Sequence, residues 1–229
     1  MKEGVPKMKG FAISKDRICK AKKIEKVLSD YLNAKITNFK ILDIGTGDGV
    51  ISSYFITKGN KVFCVDIEDQ RKEKLADFHC VNSSRLPFET EIFDIVISNT
   101  VLEHIENQEL HIEEIRRVLK KDGVCYIATP NWNFPLEPHY NIPLIHYLPQ
   151  SAFIKILKLT GLYREHIYLP NYKRMMSLFV GFTIKEYTVD IIKNSKKYYM
   201  KGSLISILPT PLISAMKSIS PTNIFILKK

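Results

Sequence analysis

Two acids and three glycines share seven consecutive residues, Asp43-Ile44-Gly45-Thr46-Gly47-Asp48-Gly49. Glycine at alternate positions permits tight-turn dihedrals and lets a ligand approach the backbone where a Cβ would block it. The apolar run Ile41–Ile44 before it reads as a short buried strand, and Val50–Ile56 after it suits a helix. Strand, glycine turn and helix together form the entrance to a nucleotide-type site in an open α/β sheet. A pyrophosphate ligand goes with G-x-G-x-x-G and a helix N-terminus that receives negative charge. Here the spacing is G-x-G-x-G, position 50 is valine, and Asp43 and Asp48 flank the turn. Carboxylates in those places repel a pyrophosphate and suit a ligand carrying positive charge.

A second apolar run, Lys61–Asp66, ends in another acid. Asp66 follows the first glycine by about twenty residues, the interval at which an acid reaches a ribose in such a unit. Its carboxylate can accept both ribose hydroxyls in charge-assisted hydrogen bonds. The pattern D-x-G-x-G-x-G at 43–49 resembles the first motif of the class I S-adenosylmethionine-dependent methyltransferases. Their cofactor carries a sulfonium and an ammonium and no phosphate. The resemblance implies a cofactor set of Asp43, Gly45, Thr46, Gly47, Asp48, Gly49, Asp66 and Ile67.

Further stretches extend the likeness. Asn82-Ser83-Ser84-Arg85-Leu86-Pro87-Phe88 is similar to the family's Asp-Ala-x-x-Leu-Pro-Phe beside the adenine, with Asn82 and Ser83 replacing Asp and Ala. Asn82 keeps an uncharged carbonyl acceptor for the adenine amino group. Phe93–Asn99 reads as the fourth strand, which implies that Ser98 and Asn99 lie at its end beside the methionine moiety. The strings F-D-x-V and V-L-E-H-I resemble the small-molecule branch that includes the quinone O-methyltransferases. His104 in that string is a candidate base, because imidazole is the side chain suited to proton transfer at neutral pH, or else it orients the following helix together with Glu103. The phrase R-R-V-L-K-x-D-G at 116–123 is also typical of the family, in a structural role.

After the fifth strand, Val124–Thr129, regular patterning stops. Residues 131–150 hold four prolines, the single tryptophan and two histidines. Such density directly after a sheet strand suits a semi-rigid lid or acceptor wall. P-N and E-P-H-Y resemble a subgroup associated with surface-glycan loci, which adds glycans and lipid-linked molecules to the possible acceptors. Trp132, Glu137 and Tyr140 are the acceptor-wall candidates. His139 is the second candidate base, with Glu137 placed to orient it.

The elements that must position these residues follow from periodicity. A helix is expected over Lys15–Leu32, started by Ser14 or Asp16. A short polar helix is expected over roughly Gln70 to Phe78. Another runs through Ile112 to Leu119, with its basic end at Arg116-Arg117 and Lys120-Lys121 and its stop at Gly123. A short helix covers Phe153–Leu159, the sixth strand 181–189, and the terminal strand Asn223–Leu227. The expected fold is an α/β, Rossmann-like sheet of seven mostly parallel strands with helices on both faces and a reversed last strand. It forms a single domain over 1–229, with an N-terminal helical cap at 1–38 and a lid or acceptor insertion at 131–176.

Composition narrows the function classes. The net charge of +10 resides at the ends, with eleven basic residues against four acidic over 1–40 and seven lysines with no acid over 193–229. These ends could meet an anionic acceptor or an anionic membrane surface, or only aid solubility. An RNA-directed methyltransferase or RNA-binding protein is the alternative. It lacks the aromatic-interleaved basic stretches of RNA modules, so no nucleic-acid partner is expected. The four cysteines have no C-x-x-C spacing and read as core residues of a reducing, cytoplasmic compartment. No secretory signal and no membrane span are expected. No metal is implied, because the Asp, Glu and His residues are not spaced as a recognisable ligand set.

Overall fold

The computed structural model describes residues 15–137, 139–200, 202, 204–217 and 220–229. The expected Ser14 cap and Pro138 lie outside them. The first half of the chain alternates α1 (Lys15–Leu32), β1 (Lys40–Ile44), α2 (Val50–Thr57), β2 (Lys61–Asp66), β3 (Asp77–Cys80), β4 (Phe93–Asn99), α3 (Gln108–Val118) and β5 (Leu119–Pro130). A two-stranded hairpin follows, β6 (Leu136–Glu137) with β7 (Ile142–Pro143), then α4 (Gln150–Leu159) and α5 (Tyr172–Leu178). The chain closes with β8 (Thr183–Glu186), α6 (Thr188–Lys193), α7 (Thr210–Met216) and β9 (Thr222–Lys228).

Seven strands form one sheet in the order β3-β2-β1-β4-β5-β9-β8. The first five are parallel, and β9 runs antiparallel to both β5 and β8. Successive strand side chains point to opposite faces, so two cores result. On one face Ile41, Ile95, Ile97 and Tyr126 pack with α1, α2 and α6 through Ile24, Leu28, Phe55 and Ile191. On the other, Leu42, Phe93, Val96 and Ile127 pack with α3 and α5 through Ile112, Ile115, Met175 and Leu178. Burial on both faces explains why these strands read as unbroken apolar runs.

The structure departs from the sequence expectations at three places. Residues 70–78 form no helix. Arg71 holds the segment as a loop, donating Nε to Asp69 Oδ1 at 2.8 Å and NH1 to the Ala76 carbonyl at 2.7 Å. Phe78 then joins β3, opposite Cys64. Helix α3 ends at Val118, not at Gly123. Leu119 turns extended at φ −70° and ψ 135°, and the amides of Glu91 and Ile92 take the Arg117 and Val118 carbonyls. Lys120 and Lys121 therefore lie in β5. Arg117 lies in the last turn of α3, as expected, and donates to Glu114 and to the carbonyls of Leu86 and Phe88. Finally, Thr188 and Val189 open α6 and do not extend the sixth strand; the Thr188 hydroxyl oxygen accepts the Ile224 amide at 3.2 Å.

The basic C-terminal segment is largely paired with acids from other elements. Lys197 meets Asp30, Lys217 meets Glu186, Lys228 meets Asp122 and Lys229 meets Glu91. Cys64 and Cys125 are buried in strands as expected, and all four cysteines are free thiols. Among the described residues no helix is long and apolar enough to cross a membrane.

Candidate active site

The glycine turn sits at the carboxyl end of the central strand β1. Gly45 and Gly47 have φ of +67° and +55°. A Cβ on Gly45 would stand 2.4 Å from Val101 Cγ2, so both dihedral and space demand glycine there. Asp66 at the end of β2 braces the turn: Oδ2 accepts the Gly47 amide and Oδ1 the Ile67 amide, each at 2.7 Å. A carboxylate has further lone pairs, so hydroxyl donors can still reach it. The Thr46 hydroxyl donates to the Asp43 carbonyl at 2.9 Å and is buried, which makes Thr46 a turn-holding residue.

Asp43 faces away from the cleft, toward α2. It is buried and accepts a hydrogen bond from the Ser52 hydroxyl. Burial pushes its carboxyl up to about 7 against the pull of Ser52, and the nearby Asp66 and Asp48 push the same way. Three carboxylates thus surround one loop, and from α1 Arg17 reaches Asp48 at 3.7 Å. This concentration of negative charge favours a cationic ligand.

A cleft of about 350 Å³ opens beside the turn. Gly45, Asp66, Ile67, Asn82 and Ser83, five of the expected cofactor residues, line it together with the candidate base His104. Ile67 is 73% exposed at its mouth. Val101, Ile105 and His111 also line it and escaped the sequence reading. Ser98 does not line it. Its side chain is fully buried, with Oγ 3.4 Å from His111 Nε2, and His111 in turn faces the cleft. Burial lowers the His111 pKa to about 4, so the ring is neutral near pH 7. Asn99 is engaged with its neighbour Thr100, donating Nδ2 to Oγ1 at 3.3 Å. Thr100 has φ +58°, a costly conformation for a β-branched residue, held by its amide donating to the Ala128 carbonyl at 2.8 Å.

Residues 131–169 enclose a second cavity of about 440 Å³ over the sheet's carboxyl edge. Trp132, Glu137, His146, Phe153 and Tyr168 are among its walls. Trp132, the expected acceptor-wall residue, lines this cavity and packs edge-on to Tyr147. Glu137 and Tyr140 do not have free side chains. The Glu137 carboxylate accepts the His139 amide at 2.9 Å, His139 Nδ1–H at 2.6 Å and the Tyr140 amide at 2.7 Å. The Tyr140 hydroxyl donates to the Glu165 carbonyl at 3.1 Å. Both therefore hold the segment after β5 together. His146 donates Nε2–H to the Trp132 carbonyl at 2.9 Å, and its Nδ1 is buried without a partner.

Between the two cavities the rival base candidates meet. The His104 and His139 rings stand edge to face, with centroids 5.2 Å apart. His104 Nδ1 contacts Glu165 Oε2 at 3.1 Å. Burial draws the His139 pKa down, but the Glu137 carboxylate outweighs it and holds the imidazole above its usual value. Glu103 lies beneath the pair with no exposed surface; Oε2 accepts the Thr129 hydroxyl at 3.2 Å, and Oε1 has no partner. Burial raises its carboxyl to about 7, against the pull of His139. One ligand-capable atom each from Glu103, His104 and His139 lie within 4.8 Å of one another. Sequence spacing concealed this set, because its third member comes from a different segment. Glu165 was missed for the same reason, and Glu103 was read only as a helix-orienting neighbour of His104.

Residues 42–127 match the family described as methyltransferase domain. The chain is 30% identical over 105 residues to a ubiquinone biosynthesis O-methyltransferase of Pelagibacter ubique, covering 42% of this chain and 44% of that one. It is 31% identical over 193 residues to an uncharacterized protein, MJ0638, of Methanocaldococcus jannaschii, covering 80% and 83%. Apart from the archaeal protein, the first curated relatives are spanned over about half their length or less. An S-adenosylmethionine-dependent methyltransferase structure from Mesorhizobium loti superposes with a TM-score of 0.60 at 12% identity, covering 89% of this chain and 96% of that one. At that identity the superposition speaks for the fold.

Proposed function

The chain belongs to the class I S-adenosylmethionine-dependent methyltransferase family, and we propose that it transfers the cofactor's methyl group to an oxygen or nitrogen of a small-molecule, glycan or lipid-linked acceptor. The observation that carries this reading is the cluster of Asp43, Asp48 and Asp66 around a left-handed glycine turn beside an open cleft. Asp66 takes the ribose hydroxyls. Ile67 covers one side of the adenine, and Asn82 and Ser83 meet its edge. The backbone of Gly45, Gly47 and Gly49 lets the methionine portion approach, while Asp43 and Asp48 supply negative charge to the sulfonium and ammonium. Ser98 and Asn99 act through their neighbours, Ser98 by holding His111 against the cleft and Asn99 by holding the Thr100 turn.

In this reading 15–32 caps the loop through Arg17 and 131–176 forms the acceptor wall. The methyl carbon then faces His104 and His139, at the junction of cleft and lid cavity. The acceptor's nucleophile attacks in line; the new bond to carbon forms as the C–S bond breaks, and sulfur keeps the electron pair. Positioning accounts for much of the acceleration, because the donor is intrinsically reactive. With Nδ1–H given to Glu137, the neutral His139 offers Nε2 as the group that takes the acceptor's proton. The resemblance to a ubiquinone biosynthesis O-methyltransferase supports oxygen as the methylated atom.

The test is titration calorimetry with S-adenosylmethionine, its demethylated product and NAD, followed by labelled-methyl transfer to a panel of hydroxyl and amine acceptors. Micromolar binding of the first two and none of NAD is expected. Binding of NAD in their place overturns the cofactor assignment.

A further inference from the structure

We propose that Glu103, His104 and His139 bind a divalent first-row transition cation of the zinc class, and that this cation holds the hydroxyl of the acceptor. The inference rests on the methyltransferase reading above and names the acceptor chemistry within it.

Three donor atoms, two imidazole nitrogens and a carboxylate oxygen, gather within 4.8 Å. In a tetrahedral zinc site with bonds of about 2.0–2.1 Å the donors stand roughly 3.4 Å apart. Side-chain adjustments of about an ångström therefore close the set. The donor chemistry suits zinc, iron or manganese far better than magnesium or calcium, which prefer oxygen alone.

Two independent features single this cluster out. First, Glu103 is completely buried, and its Oε1 has no hydrogen-bond partner. A buried carboxylate oxygen left unpaired is costly, and a coordinated cation removes that cost. Second, each histidine already has a carboxylate on Nδ1, Glu165 for His104 and Glu137 for His139. Metal-binding histidines are commonly held in this way by one nitrogen while the other faces the metal. Glu137 is itself fixed by the amides of His139 and Tyr140, so the orientation of His139 is set by the lid hairpin.

The location gives the cation its use. His104 lines the cofactor cleft, and Glu137 lines the lid cavity. Tyr168, a second wall of that cavity, donates its amide to the Glu103 carbonyl at 2.7 Å. Three protein ligands leave coordination positions open, as in catalytic sites. An acceptor entering from the lid cavity places its hydroxyl oxygen on the cation, facing the methyl group. Coordination lowers the hydroxyl pKa, so the O–H bond breaks and its proton leaves to water. The O–CH₃ bond then forms as the C–S bond breaks, with the electron pair remaining on sulfur. In this state the histidines act as ligands, and the cation generates the nucleophile.

The experiment uses the full chain, stripped with a chelator and dialysed, then titrated with CoCl₂ and ZnCl₂. Expected are one equivalent of cation per chain, visible d–d absorption of bound cobalt and its displacement by zinc. His139→Ala removes a ligand and lowers cobalt affinity by tenfold or more. Glu137→Gln touches no cation but loosens His139, with an expected loss of about 10–100-fold. Both variants avoid the fully buried Glu103, whose replacement threatens folding. S-adenosylmethionine binding is measured on the same wild-type samples. If it persists while cobalt binds no more tightly to wild type than to His139→Ala, the cation site is refuted and the methyltransferase reading stands. Loss of cofactor binding in the wild type refutes the reading beneath it.

Discussion

Asp66 and Gly47 are joined by a 2.7 Å hydrogen bond from the Gly47 amide to Oδ2. The acid proposed to hold the ribose thus also fixes the glycine turn. The same carboxylate takes the Ile67 amide through its other oxygen.

This double role sets the first prediction. Asp66→Ala removes the acceptor for the turn and for the ribose, and is expected to weaken S-adenosylmethionine binding by about 1.5–3 kcal/mol, the range for hydrogen bonds to a charged group. Asp66→Asn keeps a carbonyl acceptor for one amide and should lose less. Titration calorimetry on the two variants decides it; an unchanged dissociation constant for Asp66→Ala contradicts the ribose assignment.

Asp43 makes the charge of the loop depend on pH. Its carboxyl titrates at about 7 in the free protein, mainly because it is buried, with Asp66 and Asp48 adding to the shift. Below that pH it is protonated and contributes no attraction to a sulfonium. Affinity for S-adenosylmethionine should therefore rise, relative to that for its uncharged-sulfur product, as pH increases through 7. In Asp43→Asn the ratio should be flat. Parallel titrations of both ligands from pH 6 to pH 8 provide the measurement, and a flat ratio in the wild type rules the effect out.

His111 predicts a stability effect of definite sign. Its folded pKa of about 4 lies below the ordinary 6.5, so between those values the unfolded chain binds more protons. The stabilisation is complete above 6.5 and is lost as pH falls toward 4, by about 3 kcal/mol in all. Asp43, with a raised pKa, acts in the opposite direction, losing stability as pH rises toward 7. Urea unfolding of wild type against His111→Gln separates the two. The wild-type advantage should shrink with acidification, and a constant difference between pH 7 and pH 4.5 is incompatible with a buried neutral ring.

The histidine pair gives the fourth prediction. His139→Ala should lower turnover by about 10²–10⁴-fold, whether the ring takes a proton or binds the cation. Cofactor affinity should stay within about twofold, since His139 is not a wall of the cleft beside the glycine turn, the proposed cofactor site. His104→Ala should alter both quantities, because His104 lines that cleft. Steady-state kinetics with cofactor titrations test the split. Full turnover in both variants leaves positioning as the whole of the catalysis.

What the sequence determined alone is what local chemistry dictates. Unbroken apolar runs locate β1, β2, β4 and β9, because strands buried on both faces tolerate little else. The glycine spacing locates the turn after β1, because positive φ at Gly45 and Gly47 strains most other residues and a Cβ on Gly45 would strike Val101. The helix over Lys15–Leu32 follows from apolar positions at helical spacing.

Tertiary structure decided the rest wherever a partner comes from a remote segment. Arg71 prevents the expected 70–78 helix by binding Asp69 and the Ala76 carbonyl, and the amides of Glu91 and Ile92 end α3 five residues before its glycine. The net charge of the C-terminal segment was legible, but not its pairing with Asp30, Glu186, Asp122 and Glu91. Most of all, the choice between His104 and His139 dissolved on folding, because the lid hairpin brings His139 onto His104 above Glu103. A hairpin's reach across a sheet edge depends on packing between distant residues, and no spacing along the chain records it.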